Sequence, residues 1–156
     1  MGLDMYAFAL DQQPASETDF ELPEMSDEAW NKYFQSGHAW GSKEREDLKK
    51  RLERAAGYET VAYWRKHPNL HGFIGAIYER RGGQDFQWGS FVGPVILDAD
   101  DIDAIETATK AGTLPSTDGF FFGVTTPEDH KDTLEFCERA RGMIKAGKTI
   151  AYWASW

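Results

Sequence analysis

Short aromatic and aliphatic runs alternate along this chain with segments that open on helix-capping signals. That alternation most limits the folds open to it. The clearest strand signal is residues 60–66 (Thr-Val-Ala-Tyr-Trp-Arg-Lys), rich in β-branched and aromatic side chains. Pro68 follows at once, and its missing N–H costs nothing in a first helical turn. Leu70, Phe73, Ile74 and Ile77 then recur at helical spacing until Gly82 and Gly83 end the segment. Ser26 and Ser42 each supply a capping oxygen to a further helix, ending near Gly37 and Gly57. Asp98 to Asp101 introduce another, with Ile102, Ile105 and Ala108 inward and Gly112 closing it. Thr126, Pro127, Glu128 and Asp129 start a long helix with Leu134, Cys137, Ala140 and Ile144 on one face. Strands are expected at 3–10, 60–66, 95–97 and 149–156, and 120–124 reads as a strand or a tight aromatic loop. The result is a single α+β domain over residues 1–156: a small, mostly antiparallel sheet of about four strands with four to five helices. The echo between residues 61–64 and 150–153, both aliphatic-Ala-Tyr-Trp, suggests neighbouring strands.

At 156 residues the chain fits one domain. No apolar run approaches the ~20 residues that span a bilayer, so no membrane is expected as a partner. The opening residues lack a basic segment followed by an apolar stretch, so no secretory signal is expected. Together with the lone Cys137, which cannot close an internal disulfide, this places the chain in a cytoplasm.

The net charge of −9 is unevenly spread. Residues 1–31 hold eight acids and no Lys or Arg, while the remainder is nearly neutral. Direct nucleic-acid binding is disfavoured, because it requires a basic face to displace counterions. Residues 11–28 read as a long acidic connection, free to flex, that keeps the protein soluble or addresses a basic protein surface.

The sharpest chemical signal is the run 65–71, Arg-Lys-His-Pro-Asn-Leu-His. A strand ending in two cations beside a helix N-terminus suits phosphate, sulfate or carboxylate. Arg65 offers a planar fork, Lys66 a point charge, and Asn69 and His71 further hydrogen bonds. Alternation sends Arg65 and Lys66 to opposite sheet faces. Trp88 and Phe91 in a glycine-containing loop, and Phe121 with its neighbours Phe120 and Phe122, are rings on which a nucleotide base would stack. The ligand-binding candidates are therefore Arg65, Lys66, Asn69, His71, Trp88 and Phe121. Their bland alternative is local ion pairing for the cations and core packing for His71 and the rings.

Other chemistries are poorly supported. His67 and His71 have ligand spacing but no third ligand or intervening glutamate, so no metal site is expected. Asp98, Asp100, Asp101 and Asp103 lack the glycine and terminal glutamate of a calcium loop. Cys137 on an apolar stripe reads as an inert core residue. No nucleophile elbow or phosphate loop is present, no catalytic residue is assigned and no cofactor is implied.

The opening Met1-Gly2-Leu3-Asp4-Met5-Tyr6, the segment Tyr63-Trp64-Arg65-Lys66 with Asn69 and His71, the loop Gly119-Phe120-Phe121-Phe122-Gly123 and the closing Tyr152-Trp153 with Ser155-Trp156 resemble a family of small uncharacterised phage and bacterial proteins. The resemblance spans the whole domain. It implies an accessory protein, phage-encoded and working in the host cytoplasm, and it implies no activity. The chain departs from the family's pattern at His67-Pro68, which places the helix start later.

Three functions are open to such a chain. The first is binding of a small anionic, phosphate- or nucleotide-like ligand near Arg65 and His71. The second is docking of a basic host protein by the acidic arm, in the manner of a DNA mimic. The third is hydrolase or transferase chemistry with His71 as acid or base and Asp4 as its carboxylate partner.

Overall fold

The computed structural model describes residues 2–83 and 91–156, and within them the α+β architecture is present. The element order is β1 (Asp4–Leu10), α1 (Asp27–Phe34), α2 (Lys43–Ala55), β2 (Tyr58–Arg65), α3 (Pro68–Arg80), β3 (Phe91–Leu97), α4 (Ala99–Ala111), α5 (Pro127–Lys145) and β4 (Thr149–Ser155). The strands form one antiparallel sheet in the order β2-β1-β4-β3.

Four helix starts obey local chemistry. Ser26, Ser42, Asp98 and Thr126 each accept the backbone N–H three residues on, and the last two complete capping boxes with Asp101 and Asp129. Gly112 ends α4 in the left-handed conformation, with φ 66. Residues 120–124 form a turn instead of a strand.

Alternation divides the sheet. Met5, Ala7, Trp64, Tyr152 and Ala154 face the main core with Ile74, Ile105 and Phe136. Trp64 meets the Phe136 ring edge-on at 5.1 Å, which docks α5 on this face. The buried stripe of α5 is Thr133, Phe136, Cys137 and Ala140, so the expected Leu134 sits half-buried at its margin. On the opposite face Tyr6 lies between Tyr63 and Trp153, with ring centroids 5.0 and 5.8 Å away.

The echoing strands β2 and β4 are not neighbours: each pairs with β1, on opposite sides of it. Both free edges of the sheet are met in part by other segments. Glu53 of α2 accepts hydrogen bonds from the Thr60 N–H and hydroxyl on β2. Along β3 the acidic arm makes a short bridge, Thr18 opposite Val95, with Asp19 N–H donating to Pro94 O and Ile96 N–H to Glu17 O. The connection expected to flex is thus anchored midway, and Tyr78 adds a hydroxyl to Asp19 Oδ1 at 2.6 Å.

Candidate functional site

Where β1 begins, segments distant in sequence meet at one end of the sheet. Asp4 pairs with Arg65 on one side and Ser155 on the other. After Arg65 the chain has two residues in which to leave the sheet and start α3. Lys66 makes that corner with φ 62, a left-handed conformation costing a side chain of this kind about 1 kcal/mol. Its N–H donates to Leu3 O at 2.8 Å, which fixes the corner to the start of β1. Two glycines close on its stem. A Cβ at Gly123 would lie 2.8 Å from Lys66 Cβ, and one at Gly2 3.1 Å from Lys66 Cε. Gly123 ends the turn in which Phe121 also takes a left-handed φ, 67°. Asp19 is the third non-glycine residue of this kind among the described residues.

The corner is cationic but not saturated. Arg65, about half exposed, stands 3.5 Å from Asp4, whose carboxylate accepts from the Tyr63 hydroxyl at 2.6 Å. Burial, then the hydrogen bond and charge of Asp4, raise the Tyr63 phenol above its ordinary value. An exposed pair at this distance is worth at most ~1 kcal/mol, so Arg65 keeps freedom to turn. Lys66 is exposed, and no carboxylate of the described residues pairs with it. The strand ends at Arg65, so the expected alternation between these two cations gives way to a backbone reversal.

The α3 N-terminus behind the corner is closed from within. Thr125 Oγ1 accepts the Asn69 N–H at 3.1 Å and lies 3.0 Å from His67 Nδ1. His67 Nε2 lies 3.1 Å from Thr133 Oγ1, whose own hydrogen is donated to Asp129 O at 2.7 Å. That donation fixes the tautomer: Nε2 carries the proton and Nδ1 accepts from the Thr125 hydroxyl. His67 has no exposed surface, and burial pulls it down to about 4. The Asn69 side-chain oxygen turns to the Thr117 N–H at 3.3 Å. His71 is fully buried, 2.7 Å from the Tyr152 hydroxyl and edge-on to Phe122 and Trp156. Burial lowers it to about 3.

Of the expected ligand-binding residues, Arg65, Lys66 and Phe121 reach the surface, the last 43% exposed beside Phe120. His71 serves the interior, its ring set against the Tyr152 hydroxyl, while half-buried Asn69 gives its backbone N–H to Thr125 and accepts at its side-chain oxygen from Thr117. Trp88 lies outside the described residues, and Phe91, expected in a loop, instead begins β3. Asp4 shares a sheet face with Tyr63, while His71 meets Tyr152 on the other, so the expected acid–base pair does not form. His67 and His71 diverge toward different partners, and no metal-sized group of three His, Cys, Asp or Glu occurs among the described residues. Cys137 is buried in the core, which pushes its thiol up to about 12. Sequence reasoning missed Thr125 and Gly2. Only the position of Gly2 beside the β1 start hinted at a close approach.

No protein family, curated protein or solved structure matches this chain.

Proposed function

We propose that the protein is an accessory binding module of phage type, working in the host cytoplasm, that takes an anionic, phosphate-bearing ligand at the Arg65–Lys66 corner. The observation that supports this is Lys66 itself: a strained backbone, clamped by Leu3, Gly2 and Gly123, holds out an ammonium with no carboxylate partner among the described residues. Strain of this kind is retained where the surrounding structure over-determines it, most often at binding sites. Arg65 supplies a second cation and Phe121 an exposed ring two residues from Gly123. A glycine at position 66 would suit the backbone better, which supports a role for the lysine's side chain and its charge.

Lys66→Gly separates ligand from fold. The variant is expected to unfold at an equal or higher urea concentration than the parent, because strain of about 1 kcal/mol is relieved. Its affinity for pyrophosphate and ATP, measured by calorimetry, is expected to fall about tenfold, as for loss of one charge-assisted hydrogen bond. Arg65→Ala should weaken binding similarly. Pyrophosphate and ATP that bind both variants as well as the parent, or bind none, overturn the proposal.

A second reading keeps one supporting observation. Glu17, Glu21, Glu24, Asp27 and Glu28 are all exposed on an arm held to β3, so a basic protein would meet a fixed acidic surface.

A further inference from the structure

On the sheet face away from the main core, the arm and α1 do not close down fully. They leave a cavity of about 530 Å³, within the range of small-molecule sites. Its walls include five aromatic rings: Phe8, Tyr58 and Trp153 from the sheet, Phe20 from the arm and Trp30 from α1. Phe8 and Tyr58 meet edge-on, 5.9 Å apart at 81°, so their walls stand at right angles. Among the described residues that line it, Glu24 is the only charged one, and it is exposed. Lys and Arg are absent from the described lining residues and from the whole of residues 1–31.

We infer that this cavity binds a small organic cation, an ammonium group carried on an apolar body. Ring faces carry negative potential and attract a cation that has lost part of its water, most strongly for indole. The exposed carboxylate at the margin adds a modest, salt-sensitive attraction for the same charge and disfavours phosphate or carboxylate ligands. The molecule already uses this interaction beside the cavity, on α2. The Arg45 guanidinium, nearly buried, lies 3.7 Å from the Trp40 ring centroid and 4.6 Å from that of Tyr33. The local field has the same sign. Burial, with the Glu53 and Glu24 carboxylates adding to it, pushes the Tyr58 phenol up to about 12. This site is separate from the anionic one, which lies at the opposite end of β1, past Asp4.

Choline and its uncharged isostere 3,3-dimethyl-1-butanol test the inference, with the intrinsic fluorescence of Trp30 and Trp153 as readout. Choline is expected to give a saturable change, and the neutral isostere to bind about fivefold more weakly, the size of one modest cation–ring contact. Glu24→Gln is expected to weaken choline about threefold while leaving the isostere unaffected. Trp30→Ala, on a helix with no buried residue, should weaken choline without unfolding the chain. Equal binding of choline and its isostere overturns the inference, as does an absence of saturable binding in a parent protein shown by circular dichroism to be folded. Neither result bears on pyrophosphate at Lys66.

Discussion

His67 sits between two hydroxyls that leave room for one ring proton. Thr133 must accept from Nε2 because its hydrogen is committed to Asp129 O, so protonating Nδ1 would force Thr125 to turn its hydroxyl away. His71 is held neutral by burial. With folded values of about 4 and about 3 against 6.5 in the unfolded chain, the unfolded state binds more protons below pH 6.5. The stability that depends on neutral rings is therefore complete above pH 6.5 and is lost as pH falls toward 4 and then 3. Two protons taken up on unfolding give a slope approaching roughly 3 kcal/mol per pH unit near pH 5. Urea unfolding at pH 7.5, 6.0 and 5.0 measures it, and His71→Gln is expected to cut the slope by about half. An unchanged slope in that variant would show that His71 titrates normally in the fold. The run 65–71 was legible as the consequential segment, but not which of its members face inward. The same limit applies to the echo of residues 61–64 in 150–153. Trp64 is core and Tyr63 faces out, while Tyr152 is core and Trp153 faces out, because a one-residue offset against β1 inverts every side chain.

Two adjacent threonines start two different helices. Thr126 caps α5 through its own Asp129 N–H, a box readable from four consecutive residues. Thr125 caps α3, whose first amide partner lies 56 positions earlier in the chain. His67 occupies the α3 N-cap position without making a cap, since its ring is drawn off to α5. The threonine hydroxyl therefore does what a serine at position 67 would do locally, and also ties α3 to α5. Thr125→Val keeps the shape and removes the hydroxyl, leaving Asn69 N–H and His67 Nδ1 unmatched. A loss of about 2 kcal/mol is expected by urea unfolding, against about 1 kcal/mol for Thr126→Ala, whose cap is exposed. Thr125→Ser should restore most of the difference. Equal costs for the two threonines would reduce Thr125 to an ordinary local cap. Helix starts were legible wherever donor and acceptor lie within one turn. The α3 start was legible only through Pro68, which fixes where the helix begins but not what closes it.

Four strands in one open sheet leave two edges, and an acidic chain has a particular use for its charge there. Glu53 covers β2 from a neighbouring helix, while residues 17–19 cover β3 as a single bridge flanked by exposed carboxylates. A bridge this short and this charged satisfies the edge without inviting a further strand. Two of the eight acids in the first 31 residues, Glu17 and Asp19, are placed by this bridge. Its hold depends on Asp19, which donates its N–H to Pro94 O, accepts from Tyr78 and takes φ 55 to do both. Proline at that position removes the donor and requires φ near −65°. Asp19→Pro is expected to cost about 2 kcal/mol in urea unfolding, from the lost hydrogen bonds and the displaced arm. Cleavage by protease within residues 12–24 should become faster than in the parent, with the circular dichroism of the sheet retained. The freed β3 edge should also shift sedimentation toward larger species as concentration rises. The same release would dismantle the aromatic cavity, because Phe20 and Glu24 travel with the arm, so choline binding should weaken in step with cleavage while pyrophosphate binding at Lys66 holds. Cleavage at the parent's rate would mean that Met25, buried at the arm's far end, anchors it instead.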